Sequence, residues 1–254
     1  LSSARGAAIA EAEWRPFGLR LPPPRYLVPL LAMWAGAMVL LVALRDLGTA
    51  LLFFGTFVCV LYAATAQPGY LVFGAISFSG GAWAAAHLFG HVRNRIQAWL
   101  NPWPEEVLAR SGYQVAQGLF AIAAGGMGGV GLGMSQMVNP LTGRTVFAAT
   151  TDLPFAALCE QLGLWGAGAV IALYGFWVYR ALRVSLSQPD NFRALLALGL
   201  GSLMAVQVFV IMGGVTKLIP LTGITLPFIS YGGSSLIANF LMVGLLLRCS
   251  EGQR

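Results

Sequence analysis

The chain has 254 residues, of which 57% are hydrophobic and only 9% charged, with a mean hydropathy of +0.75. A soluble domain is typically about 45–50% apolar and about 25% charged, so this composition excludes an ordinary soluble globule. The formal charge of +6 comes from 15 Lys and Arg against 9 Asp and Glu. Many of the basic residues flank long apolar runs, which ties the charge to membrane topology rather than to nucleic acid.

Residues 1–25 are polar, carry Arg5, Arg15, Arg20 and Arg25, and end in Pro22-Pro23-Pro24. They lack the charged start, short apolar core and cleavage site of a signal peptide. They read as a cytoplasmic loop of a longer protein, of which this chain is a C-terminal fragment. Apolar runs follow at Tyr26–Leu44, Leu47–Ala66 and Tyr70–Gly90, with Asp46 between the first two. A helix crosses the hydrocarbon in roughly 20 residues. Backbone in lipid must satisfy its own hydrogen bonds, which makes these runs helices. They also lack the alternation of barrel strands.

Segment 91–152 is not a plain loop. Arg93–Leu100 is amphipathic, with Trp99 as an aromatic anchor, and suits a helix at the membrane interface. Asn101-Pro102-Trp103-Pro104 breaks it. Tyr113–Gly133 is apolar and glycine-rich, and reads as a re-entrant or interfacial segment packed on protein. Gly126–Gly131 matches G-x-G-x-x-G, but no strand precedes it. Close backbone packing, with Gly125 and Gly129 at small-xxx-small spacing, is the better account. His87 and His91 are four apart yet lack the intervening Glu of a zinc helix, and read as interface histidines.

Three more spans follow at Pro154–Tyr179, Phe192–Val215 and Ser234–Leu247. The fold class is therefore an all-α polytopic integral membrane protein, with about six transmembrane helices and a large loop between the third and fourth. Cys59, Cys159 and Cys249 show no disulfide or metal spacing and read as small buried hydrophobes. Arg180, Arg183 and Arg193 lie between the fourth and fifth spans, and Arg248 and Arg254 close the chain. With alternating spans, nine of the 15 basic residues share one side. That side is cytoplasmic by the positive-inside rule, and 45–46, 91–152 and 216–231 are extracytoplasmic.

Ionisable residues at membrane depth cost roughly 2.5–3.5 kcal/mol each, so they are functional candidates. Asp46 sits between two spans, Asp152 at the mouth of the fourth, and Glu160 inside it. Helical periodicity puts Asp152 and Glu160 on roughly one side, about two turns apart. Asp152 also suits an N-cap ahead of Pro154, and Glu160 a buried helix–helix hydrogen bond. Before the last span come Pro220-Leu221-Thr222-Gly223 and Leu226–Ser235, irregular backbone rich in donors. Gly232 and Gly233 would present N–H groups at a helix start, a natural anion or phosphate site.

These motifs resemble the SEDS family (shape, elongation, division and sporulation; FtsW, RodA and SpoVE) along essentially the whole chain. Pro220–Ser235 through Ala238-Asn239 is the longest match. Asp46-Leu47-Gly48-Thr49, Arg95-Ile96 with Trp99-Leu100 and Pro102, and Gly112-Tyr113-Gln114 with Gln117 follow the family order. So do Thr151–Ala156 and Glu160–Gly163. The Ser-Tyr-Gly-Gly-Ser-Ser wording is closer to the elongation-type branch, that of RodA, than to division-type members. Departures are Leu44-Arg45, Thr150, Gln161, Met212 and Lys217.

The resemblance implies that 1–254 is a single membrane domain, the last six helices of a roughly ten-helix bundle in the bacterial plasma membrane. It implies polymerisation of lipid II into glycan strands during cell-wall elongation or division, beside a class B penicillin-binding protein. The family's essential acid falls on Asp152, with Asp46 and Glu160 supporting. Candidate contacts to lipid II, the growing lipid-linked glycan or membrane lipids are Arg93, Arg95, Gln114, Gln117, Lys217, Ser230, Tyr231, Gly232, Gly233, Ser234 and Ser235. No nucleic-acid partner is implied.

The chemistry is consistent with this residue set. Diphosphate is a good leaving group, so one carboxylate can serve as base on the acceptor hydroxyl. Cations on the same face balance the departing charge. Asp152 is that base, or it positions a divalent cation such as Mg or Mn; no cofactor is otherwise implied. Arg93 and Arg95 hold diphosphate or anchor the loop to lipid headgroups. A lipid II flippase and a non-catalytic scaffold for a penicillin-binding protein are the alternatives.

Overall fold

The computed structural model describes residues 46–135, 137 and 151–251, the side chains of 110 and 111 excepted. The expected loop 1–25 and the span Tyr26–Leu44 lie outside these residues. Every regular element described is helical and none is a strand. In chain order they are α1 (Leu47–Thr65), α2 (Gly69–Leu88), α3 (Gly90–Leu100), α4 (Glu105–Val107), a π-helical stretch (Leu108–Gly112), α5 (Tyr113–Gly125), α6 (Pro154–Leu186), α7 (Asn191–Val215) and α8 (Gly233–Glu251). Five of them, α1, α2, α6, α7 and α8, are long and apolar enough to cross a membrane. These are the five expected spans among the described residues, although α6 runs on to Leu186 instead of ending at Tyr179. At 13 residues, α5 is too short to cross, as its glycines suggested.

The described residues divide into two compact units. The first takes residues up to Gly80, Ala181–Leu203 and Leu245 onwards. There the Asp46 carboxylate accepts the Thr49 N–H at 3.0 Å, an N-cap for α1. Ala66, left-handed at φ 54°, closes the helix with its N–H on the Tyr62 carbonyl. The Phe54 and Phe78 rings pair at 5.5 Å. Asp190 caps α7 by accepting the Phe192 and Arg193 N–H groups. Gln188 donates to the Cys249 carbonyl at 2.9 Å, and Ser185 to that of Ala194 at 2.7 Å.

The second unit comprises Gly81–Arg180 and Met204–Gly244. Its central feature is a break in α6. Gly163 has φ 65° and ψ −166°, so Pro154–Leu162 and the rest of α6 are two helices on one run of sequence. A break strands the carbonyls of one helix end and the N–H groups of the next start. At membrane depth such groups must find protein partners. The glycine turn after α5 provides them. Val130 N–H donates to the Glu160 carbonyl at 2.9 Å and Gly131 N–H to that of Gln161 at 3.1 Å. In return, Leu164 N–H donates to the Gly126 carbonyl at 3.0 Å. The approach leaves no room for side chains: a Cβ on Gly129 would lie 2.2 Å from the Gln161 carbonyl oxygen, and one on Gly163 would lie 2.4 Å from the Gly129 nitrogen. The glycine run is thus packing backbone, not a dinucleotide loop.

Two side chains reinforce the pairing. The buried Glu160 carboxylate accepts the Ser135 hydroxyl, and Gln161 Oε1 accepts the Gly133 N–H at 2.8 Å. The Glu160 carboxylate is thus tied to the segment that follows the glycine turn. Asp152 lies ahead of the helix, so the helical arithmetic linking it to Glu160 does not apply.

Gly129→Ala places a Cβ against backbone at φ 78°. Left-handed geometry costs about 1–2 kcal/mol for an alanine, and overpacking about 1–3 kcal/mol. Gly128 faces open space and serves as control. Thermal unfolding in lipid nanodiscs is expected to show Gly129→Ala destabilised by about 2–5 kcal/mol and Gly128→Ala within about 0.5 kcal/mol of the parent. Equal losses at both positions would remove the backbone-pairing account.

Candidate functional site

Asp152 occupies the turn just before α6. Pro154 is the first helical residue, a position where its missing N–H costs nothing. Leu153 is fully buried, at 0% exposure, and Phe155 and Ala156 are buried behind it. These residues pin the chain on the C-terminal side of Asp152. On the N-terminal side, the Ser230 hydroxyl donates to the Thr151 carbonyl at 3.0 Å. The Asp152 side chain itself hydrogen-bonds Thr151. Burial raises the Asp152 carboxyl above its ordinary value, and outweighs the Thr151 hydrogen bond and the Arg95 charge that pull it down. A carboxylate with raised proton affinity is a better base nearer neutral pH.

Arg95, on α3, lies near enough for its charge to act on this carboxylate. Its guanidinium donates to the Thr222 carbonyl at 2.8 Å and the Leu221 carbonyl at 3.5 Å. The next helical turn carries a second link to the same segment. Trp99 Nε1 donates to the Lys217 carbonyl at 3.0 Å, and Lys217 Nζ to the Leu100 carbonyl at 3.4 Å. Trp99, expected as an interfacial anchor, is therefore bound to protein. Lys217 sits in left-handed geometry, at φ 63°.

The segment between α7 and α8 is held by hydrogen bonds from side chains in apolar surroundings. Gln207 donates to the Thr225 carbonyl at 2.8 Å, and the Tyr174 hydroxyl to the Pro227 carbonyl at 2.5 Å. Thr225 and Ser235 share a hydroxyl–hydroxyl bond of 2.7 Å, and buried Asn239 donates to the Ser235 hydroxyl. Ser230 also accepts the Leu226 N–H at 2.7 Å. Sequence reasoning missed Gln207, Tyr174 and Ser135. The signal for Gln207 was a polar side chain inside an apolar span, which is costly without a partner.

A cavity of about 490 Å³ opens where α6 begins, two residues after Asp152, which is not itself in its lining. Pro154, Leu158 and Gln161 of the first part of α6 form one wall. Phe228, Ile229, Ser230, Tyr231, Gly232, Gly233 and Leu236 form the other. Two membrane helices begin in this lining, α6 at Pro154 and α8 at Gly233.

The expected site residues fall into groups. Asp152, Arg95 and Ser230 come together, and Tyr231, Gly232 and Gly233 line the cavity. Tyr231 is 82% exposed. Ser235 and Lys217 are engaged with protein groups. Arg93 and Ser234 are exposed, and Gln114 and Gln117 half-buried on α5; none of the four lines the cavity. Asp46 belongs to the first unit as a helix cap. Among the described residues, no three His, Cys, Asp or Glu side chains gather into a metal-holding group.

A sequence model of the FtsW/RodA/SpoVE family, described as cell cycle protein, matches residues 17–254. The chain is 45% identical over 237 residues to the peptidoglycan glycosyltransferase RodA of Mycobacterium tuberculosis, covering 93% of this chain and 49% of that protein. It is 37% identical over 231 residues to the stage V sporulation protein E of Bacillus subtilis, covering 91% and 61%. The chain spans about half the length of the RodA relatives it matches. In structure it resembles a chain reported under "Structural coordination of polymerization and crosslinking by a peptidoglycan synthase complex", with a TM-score of 0.72 and 25% identity over 98% of this chain and 66% of that one. The sequence match and the helical fold together place the chain in the FtsW/RodA/SpoVE family of cell cycle proteins, the SEDS family that its motifs resemble.

Proposed function

We propose that this chain carries the active site of a peptidoglycan glycosyltransferase that polymerises lipid II, with Asp152 as general base. The observation that carries the reading is a carboxylate of raised proton affinity, under the charge of a guanidinium and two residues ahead of the wall of an open, largely apolar cavity. In the reaction, Asp152 takes the proton from the acceptor sugar hydroxyl as its oxygen attacks the anomeric carbon of the donor. The bond to the diphosphate breaks, and the diphosphate leaves with the electron pair. Arg95 balances charge near the carboxylate. An amphiphile suits a cavity whose walls are the first turns of two spans. The isoprenoid portion of lipid II lies against Phe228, Ile229 and Leu236 while its polar end meets Asp152.

A magnesium or manganese ion is the other role for the same carboxylate. Asp152 would be the residue that holds it, and the ion would supply charge stabilisation for the departing diphosphate. The site faces the extracytoplasmic side, a reading supported by the arginines at the opposite ends of the spans. A class B penicillin-binding protein is the proposed partner, in keeping with a structural relative described as part of a peptidoglycan synthase complex. Identity of 45% to RodA against 37% to the sporulation protein favours an elongation role. A flippase needs polar groups free along a path. Here Glu160, Gln207 and Asn239 are each bound to protein groups, which favours the transferase over transport.

Asp152→Asn removes the base without changing shape. With the intact protein, its partner and purified lipid II, glycan polymer is expected to fall by at least about 10²-fold while thermal unfolding stays unchanged. Polymer at the parental rate would exclude Asp152 as base. The pH profile gives a second check. Activity is lost as pH falls through the Asp152 pKa, and burial places that limb above the ordinary aspartate range. Arg95 lowers this pKa, so Arg95→Gln is expected to move the acid limb to higher pH. A limb unmoved by the substitution would mean that another group titrates.

A further inference from the structure

We infer that Ser230 is a positioning residue for Asp152 and does not itself bind substrate. Its hydroxyl has one proton to donate and two lone pairs with which to accept. The proton goes to the Thr151 carbonyl at 3.0 Å, and the Leu226 N–H comes to the oxygen at 2.7 Å. The proton and one of the two lone pairs are used within the protein, which leaves a ligand only the remaining lone pair even though Ser230 lies in the cavity wall. The two bonds join segments far apart in sequence, the turn before α8 and the peptide that carries Asp152.

The Leu226 end of this bridge is rigid. Leu226 is 1% exposed. Its neighbours are fixed by Gln207 on the Thr225 carbonyl and by Tyr174 on the Pro227 carbonyl. The Thr151 end is followed by the buried Leu153. Ser230 therefore transmits the fixed geometry of the α7–α8 segment to the residue next to Asp152. The same segment holds Arg95 through the Leu221 and Thr222 carbonyls. One loop thus sets both the carboxylate and the cation, and Ser230 is its hold on the carboxylate.

The inference rests on the proposed transferase reading for its kinetic test, and has a second test that does not. The intact protein in nanodiscs is compared as parent, Ser230→Ala and Ser230→Thr. Hydrogen exchange is expected to quicken about tenfold in peptides covering 151–157 of Ser230→Ala, the worth of about one neutral hydrogen bond, with α7 and α8 unchanged. Ser230→Thr keeps the hydroxyl and restores protection. In lipid II polymerisation, Ser230→Ala is expected to lower kcat about tenfold with KM unchanged, and Ser230→Thr to recover most of the loss. In an Asp152→Asn background, Ser230→Ala is expected to cost nothing further. A raised KM at unchanged kcat would make Ser230 a substrate contact and overturn the inference, as would unaltered exchange at 151–157. If the parent makes no polymer but Ser230→Ala still loosens 151–157, the transferase reading fails and the positioning role stands.

Discussion

In hydrocarbon an unpartnered backbone amide costs several kcal/mol, and the rest of this structure follows from how α6 meets that demand at Gly163. The break exposes carbonyls and N–H groups that an unbroken helix would pair internally. The glycine turn after α5 answers with its own backbone, at distances that no side chain permits. Because the break is stabilised, the first part of α6 need not continue the direction of the remainder. That short piece carries one wall of the cavity and follows directly on Asp152. A continuous α6 would give Leu158 and Gln161 a different relation to the α7–α8 segment.

The second constraint is the way irregular backbone is held where spans begin. The α7–α8 segment has few hydrogen bonds of its own and many carbonyls. Side chains from α3, α6, α7 and α8 take up those carbonyls or brace the hydroxyls between them. Arg95, Tyr174, Gln207 and Asn239 are examples. Each brings N–H or O–H donors to these groups. The polar part of the motif that drew attention as a ligand cradle is largely spent on the fold. The surfaces left over are the Gly232–Gly233 backbone and the exposed Tyr231.

The spans were legible in the sequence because roughly 20 apolar residues in a row have few other uses, and the short α5 because its glycines argued against a plain helix. The break in α6 was not. Gly163 sits in an apolar run where a glycine is tolerated, and only the partner at Gly126–Gly131 makes a break affordable. The register that linked Asp152 to Glu160 fails for another reason: Asp152 stands ahead of Pro154, the first residue of the helix. Arg95 and Ser230 were expected as substrate contacts, yet their bonds run to carbonyls, and every residue in a sequence carries the same carbonyl. Which one a donor reaches is decided by tertiary structure alone. The same reason hid Gln207 and Tyr174.

Why the carboxylate sits at the ends of spans, and not deeper, follows from two opposing requirements. A base gains strength when burial raises its proton affinity, but a carboxylate in the middle of the hydrocarbon would be neutral and useless. At the mouth of α6, Asp152 is desolvated enough to hold its proton above the ordinary range, while Arg95 keeps the charged form accessible. Glu160, eight residues further on, shows the contrast: it is 1% exposed and given over to Ser135 and the glycine turn. On the proposed reading, an amphiphilic substrate imposes the same location. Its isoprenoid chain stays among apolar side chains at the start of two spans, and its saccharide end must meet a base that water and protons can reach. The boundary layer is where both demands are met, so the carboxylate at the helix mouth can do chemistry while the deeper one serves the fold.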